Sequence, residues 1–274
     1  MKCLVSFAAL FAACAHAQES KPTRPVLPLW EVGVVAAGVS QQAYPGSDQQ
    51  AGRVLALPYV VYRGKVFRAD DRGAGLRAVT TDDFELDVSF AGSLSSGSET
   101  LRAREGMARL PTLLEAGPVG RWYLNGRASR ERVTLELPLR GVFEARNPSH
   151  HRGMSFEPKL SLQRRGEGDW SYGGSIAAVV GDRRLGATFY DVAPSEARPE
   201  RPAFSARAGL IAWRLNANVG TSLTPDMRVY AFSRFESLAG AANRGSPLVR
   251  QTNGASFGVG LTYTLMRSTA GAND

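Results

Sequence analysis

The feature that most constrains this chain is a repeated two-residue alternation of apolar and polar side chains. In 84–90, Phe84, Leu86, Val88 and Phe90 share one face and Glu85, Asp87 and Ser89 the other. In 133–140, Val133, Leu135, Leu137 and Leu139 oppose Thr134, Glu136, Pro138 and Arg140. In 154–163, Met154, Phe156, Pro158, Leu160 and Leu162 oppose Ser155, Glu157, Lys159, Ser161 and Gln163. In 256–265, Phe257, Val259, Leu261, Tyr263 and Leu265 oppose Ser256, Gly258, Gly260, Thr262 and Thr264. That is the period of a strand. Weaker candidate strands fall at 30–40, 53–62, 65–70, 73–80, 117–125, 169–180, 185–190, 203–214, 215–223 and 227–236. Gly106 and Pro111 argue against a short helix within 99–115.

Tight turns are expected at Arg63-Gly64, Thr81-Asp82-Asp83, Gly181-Asp182-Arg183 and Thr224-Pro225-Asp226. Longer polar or Gly/Pro-rich segments lie at 41–52, 93–116, 143–153, 191–202 and 237–253. On this reading short and long connections do not alternate cleanly, so the sequence does not orient the loops. Strands of this length suit a tilted membrane crossing. Some candidates must fuse, and the expected fold is an all-β, antiparallel, up-and-down transmembrane barrel of about 12 strands, with 10 or 14 as alternatives. A soluble sandwich or lipocalin-like barrel alternates in the same way. The charges of both signs at Glu85, Asp87, Glu136, Arg140, Glu157 and Lys159 suit a wet lumen behind an apolar exterior.

Residues 1–17 read as a secretory leader: Lys2, an apolar run over 4–14, then Ala15-His16-Ala17 as a small-x-small cleavage site. Acylation at Cys14 is an alternative reading. Cleavage removes both cysteines, Cys3 and Cys14, leaving a chain with no thiol and no disulfide. It also leaves 32 basic against 25 acidic residues, a net charge of +7, almost all of it arginine. Residues 18–28, with Pro22, Pro25 and Pro28, form a flexible lead-in; the barrel is placed at 29–266 and a short tail at 267–274. No later apolar run approaches the ~20 residues of a spanning helix.

Chemistry is sparse. After the leader only His150 and His151 remain as histidines, adjacent in a polar loop beside Ser149 and Ser155. Their spacing matches neither a hydrolase base nor a metal site. Gly73-Ala74-Gly75 and Gly117-Pro118-Val119-Gly120 lack the strand–loop–helix setting of a phosphate cradle and read as strand glycines. No catalytic residue, cofactor or metal site is expected, and no nucleic-acid partner. Arg102, Arg104, Arg109, Arg146, Arg152, Arg198, Arg201, Arg244 and Arg250 fall in candidate loops, where guanidinium groups suit the phosphates of lipopolysaccharide.

Several segments together resemble one family. Leu57-Pro58-Tyr59-Val60-Val61-Tyr62-Arg63-Gly64 with Val66-Phe67-Arg68, and Tyr44-Pro45-Gly46-Ser47-Asp48 before it, are similar to signatures of the MipA/OmpV family of Gram-negative outer-membrane proteins. So are Leu223-Thr224-Pro225-Asp226-Met227, Phe232–Leu238, Ser246-Pro247-Leu248-Val249 and the terminal strand Gly258–Leu265. The resemblance runs from about Leu29 to Leu265. One departure is the strand end: Leu265 stands where such barrels commonly carry an aromatic residue, and Met266–Asp274 follow it. The resemblance implies a monomeric, non-enzymatic outer-membrane scaffold linking a lytic transglycosylase to a bifunctional penicillin-binding protein in peptidoglycan remodelling. A small channel for ions or solutes, and a surface adhesin or lipopolysaccharide-contacting protein, are the alternatives.

Overall fold

The computed structural model describes residues 27–64, 67–70, 73–93, 101–165 and 170–272. The leader at 1–17 and most of the lead-in at 18–28 lie outside the described residues. The strands are β1 (Trp30–Gln42), β2 (Gln50–Arg63), β3 (Phe67–Asp70), β4 (Gly73–Thr80), β5 (Phe84–Ser93), β6 (Leu113–Tyr123), β7 (Glu131–Glu144), β8 (His151–Phe156), β9 (Lys159–Arg165), β10 (Trp170–Gly181), β11 (Gly209–Ser222), β12 (Met227–Ser237) and β13 (Asn253–Arg267). All belong to one antiparallel sheet, and β13 pairs with β1, from Glu31↔Arg267 to Ser40↔Phe257, to close it.

β8 and β9 are a single barrel strand interrupted at Glu157-Pro158. Both lie between β7 and β10. Proline has no N–H to give the ladder. Backbone bonds nonetheless bridge the break, from Glu157 N to Pro138 O at 3.2 Å and from Ala178 N to Pro158 O at 3.1 Å. The outward face runs through it unchanged: Met154, Phe156, Leu160 and Leu162 are all exposed. The barrel therefore has twelve strands.

The alternation read from the sequence is the inside–outside alternation of the wall. On β5, Glu85 and Asp87 are fully buried toward the lumen, whereas Val88 and Phe90 are exposed on the outer face. Closure leaves no backbone edge where β13 meets β1, as a lipid-embedded sheet requires.

Two sequence expectations are corrected. Residues 185–190 are not a strand; Arg183–Tyr190 form helix α1. Gly181-Asp182-Arg183 is not a tight turn, because Asp182 caps that helix, accepting from Leu185 N at 2.8 Å. The connection it opens runs over 182–208. With that change the connections 43–49, 94–112, 145–150, 182–208 and 238–252 fall at one end of the barrel, together with the short step from β3 to β4, and the remaining connections fall at the other. Candidates 203–214 and 215–223 fuse into β11, which starts only at Gly209; 203–208 belong to the preceding connection.

At the opposite end of the barrel the last described residues pair with the first described ones. Leu29 N donates to Ala270 O at 2.9 Å and Ala272 N to Leu27 O at 2.7 Å.

Candidate functional site

The lumen has two unlike walls. Across β5, β6, β7 and β9 four charges of alternating sign stand side by side, because Glu85 is paired in register with Arg121, Arg121 with Glu136 and Glu136 with Lys159. Arg121 bonds Asp87 and lies 3.4 Å from Glu136. Lys159 lies 3.2 Å from Glu136. Glu85 also accepts from the Tyr123 hydroxyl and from Arg127, each at 2.9 Å. Nearer the long-loop end, Arg214 pairs with Glu236 at 2.6 Å and Glu157 at 3.2 Å. Arg140 faces Glu115 at 3.7 Å, and Ser155 donates to Glu115 at 3.2 Å. Mutual pairing of this kind lets charges face inward without bare ions.

The other wall, on β1, β2, β12 and β13, is rich in glycines and aromatic rings, and also carries Arg53, Arg228 and Arg234 on the same face. Aromatic rings lie flat over strand glycines there. A Cβ on Gly258 would meet the Phe232 ring at 2.5 Å, and one on Gly33 would meet the Tyr59 ring at 2.6 Å. The Tyr59 hydroxyl shares a 2.6 Å bond with Thr264 Oγ1.

Above these walls the long loops form a cap. Counted round the twelve-stranded rim, the β1–β2, β5–β6 and β10–β11 loops leave the barrel four strands apart from one another, at thirds of the circle. They nevertheless touch. Tyr190, at the end of α1, donates to Pro45 O in the β1–β2 loop at 3.0 Å. Arg104 in the β5–β6 loop donates to Phe189 O at 3.1 Å. Arg102 N donates to Gln49 Oε1 at 2.6 Å. Segments rooted at thirds of a rim meet only across the mouth.

The β12–β13 loop joins them: Tyr44 donates to Leu248 O at 2.7 Å, and Ser246 Oγ to Tyr190 O at 2.8 Å. The cap has an apolar core of its own. Leu185, Tyr190, Ala206 and Leu238 pack in one cluster with Leu113, Val142, Val179 and Ala212 from the strand tops. Ala43, Tyr44, Leu101 and Leu110 form a second cluster.

Burial sets the chemistry of the cap's polar groups. It pushes the Tyr44 hydroxyl up to about 12. Tyr190 is raised further, by burial first and then by the Glu236 carboxylate. Both phenols therefore stay neutral and act as donors. Burial lowers Arg104.

The structure divides the loop arginines. Arg201, 6% exposed, is a staple between two loops, donating to the carbonyl oxygens of Glu196, Ala103 and Glu105. Arg152 pairs with Glu144. Arg102, Arg198, Arg201 and Arg250 converge with Asp48, Glu105 and Glu200 on a concavity of about 240 Å³. Arg146 and Arg244 are exposed and take no part in that concavity. Of the histidines, His150 is exposed 3.6 Å from Glu144, and His151 lies edge-on to Phe143, with Arg184 Nη1 at 3.2 Å. Gly117 and Gly120 lie in β6 and Gly73 and Gly75 in β4.

Periodicity carried no sign of the cap, since its residues alternate with nothing. The usable signal was in Tyr44–Asp48 and Ser246–Val249. These two segments meet, with Arg250 N donating to Gly46 O at 2.8 Å where Gly46 has φ +94°.

A closed wall with an apolar exterior, a charged lumen and loops at one end defines a membrane-spanning β-barrel. The chain belongs to the MipA family: the family model described as MltA-interacting protein MipA matches residues 33–265. It is an outer-membrane protein; barrels of that membrane turn short connections to the periplasm and longer loops outward.

No curated protein matches the chain. Among solved structures it is similar to the NanC porin, with 11% identity, 85% of this chain and 100% of that chain covered, and a TM-score of 0.44. The KdgM porin gives 11% identity, 85% and 99% coverage and a TM-score of 0.42. OmpT of Vibrio cholerae gives 10%, 87%, 99% and 0.31.

Proposed function

We propose that this protein is a non-enzymatic outer-membrane scaffold that holds a murein hydrolase and a murein synthase at the periplasmic face. The observation that carries the reading is the cap. Loops from three points of the rim meet across the mouth around a shared apolar core, which suits a barrel that does not serve as an open diffusion pore. The family description, MltA-interacting protein, supports a lytic transglycosylase as one partner; a bifunctional penicillin-binding protein would be the other. The surfaces available to them are the short turns, including 81–83, 124–130 and 223–226, together with the paired chain ends.

The test is crosslinked capture from intact envelopes with a tag after Asp274, read beside conductance in planar bilayers. Recovery of murein hydrolases and synthases with negligible conductance supports the scaffold. Recovery of barrel-assembly factors alone, with a conducting barrel, overturns it in favour of a small channel. The concavity lined by Arg102, Arg198 and Arg250 favours a second reading, contact with lipopolysaccharide phosphates. Loss of lipopolysaccharide binding in the triple glutamine variant would support it.

A further inference from the structure

β12 turns Arg228, Tyr230, Phe232 and Arg234 to the lumen, on the face of Glu236. Its two arginines are bound to neutral groups. Arg228 donates to Ser171 Oγ at 2.5 Å, and Arg234 Nε to Asn216 Oδ1 at 2.9 Å. Among the described residues neither forms an ion pair. Glu236, the next residue on that face, is taken by Arg214 at 2.6 Å. Exposure separates the signs as well. Arg228 and Arg234 are exposed, whereas Glu85, Asp87 and Glu236 are buried. Glu85 and Asp87 stand on β5, across the lumen from β12 in the twelve-strand order, and Arg121 holds both. The charge that β12 shows to the lumen is therefore positive.

The groups around these guanidiniums are uncharged and suited to a sugar. Asn216 is in register with Arg234, and Asn218 with Phe232, so both amides face the lumen beside β12. Side-chain amides donate to hydroxyls and accept from them. Asn216 also donates to Ser175 Oγ at 3.1 Å, which fixes the amide that Arg234 holds. On the other flank Phe232 and Tyr230 lie flat on Gly258 and Gly260 of β13. Each ring has one face on the sheet and the other toward the lumen, and both are half-buried. An aromatic face carries partial negative charge, which suits the C–H face of a sugar ring. Arg228 stands at the end of the barrel opposite the cap, and Arg234 six positions nearer to it, about 20 Å along a strand.

We infer that this strip is a binding site for a short anionic glycan. Its carboxylates meet Arg228 and Arg234, whose forks match a carboxylate in two bonds. Its hydroxyls and ring faces meet the amides and aromatic rings between them. Cell-wall glycan, with its lactyl carboxylates, and uronic-acid oligosaccharides share this chemistry, and the test separates the two. The inference goes beyond the scaffold reading and does not depend on it, since capture of murein enzymes and binding of a free glycan are separate measurements.

The test is isothermal titration calorimetry on the whole barrel, purified from envelopes in detergent. The ligands are a tetrasaccharide of alternating N-acetylglucosamine and N-acetylmuramic acid, a hyaluronan tetrasaccharide, and maltotetraose as the uncharged control. The expected result is saturable heat from at least one acid and none from maltotetraose; the acid that binds identifies the source. Arg228→Gln and Arg234→Gln should each weaken that binding about tenfold, the effect of losing one charge-assisted contact. Arg164→Gln should leave it unchanged, because Arg164 lies on the outer face and pairs with Glu131 at 2.8 Å. No saturable heat from either acid, equal binding of maltotetraose, or glutamine variants that bind like the intact chain would each overturn the site. Should a glutamine variant fail to fold, lysine at the same position keeps the charge, gives up the two-bond contact and is read in the same way.

Discussion

At the residue scale, the lumen charges matter as a connected set. Arg121 is 4% exposed between Asp87, Glu85 and Glu136. Arg121→Met leaves those carboxylates facing one another without a cation. Breaking a buried pair from one side costs about 3–5 kcal/mol. The expected outcome is a lower urea midpoint for unfolding from vesicles, with much of the loss recovered when Glu85→Gln and Asp87→Asn are added. The buried phenols of the cap give a pH dependence of definite sign. Tyr44 is raised from 10.0 to about 12 in the folded chain. Its contribution is therefore fully present below pH 10 and is lost as pH rises toward 12, because the unfolded phenol gives up its proton first. Loop proteolysis is expected to increase over that alkaline window, and Tyr44→Phe should weaken the dependence; an unchanged pH profile in the variant would contradict the assignment. Glu85, Asp87 and Glu136 were legible in the sequence as polar faces opposite apolar ones. Their partners were not, because register between distant strands decides which acid meets which arginine.

At the element scale, α1 shows why part of the chain misled. Leu185, Ala187 and Phe189 sit at alternate positions and so read as a strand. Leu185 and Phe189 are equally well spaced for one face of a helix, and eight residues are too few for periodicity to decide. Asp182 decides it, since its side chain holds the Leu185 amide and starts the helix. Reading Asp182 as part of a turn also hid the long connection over 182–208 that builds most of the cap. Asp182→Ala is expected to cost about 1 kcal/mol in the cap. The measurement is cleavage within 183–208 by an added protease, which should quicken while the strands stay protected. Equal cleavage of both proteins would mean that tertiary packing of Leu185 and Tyr190, not the N-cap, holds the helix.

At the scale of the whole molecule, strand number sets a problem that the cap answers. An eight-stranded barrel is about filled by its own side chains, and a twelve-stranded one is wider. Here the ion rows occupy one side, while Tyr230, Phe232 and Tyr59 lie flat against glycines on the other. What closes the mouth is therefore the loop assembly, and chiefly the β10–β11 loop, which supplies α1, Tyr190 and the Arg201 staple. Replacing residues 183–205 with a short Gly/Ser linker removes one of the three segments that meet across the rim and leaves every strand intact. The expected outcome is a barrel that inserts normally, still shows heat-dependent gel mobility, and conducts ions in planar bilayers far better than the intact chain. If the intact chain conducts as well as the variant, the cap is not a seal, and the argument from the closed mouth to a scaffold fails with it. If the variant inserts and stays silent, the closure lies lower, at the level of Arg214, Glu157 and Glu236, and Arg214→Ala in the same background becomes the variant that opens the pore.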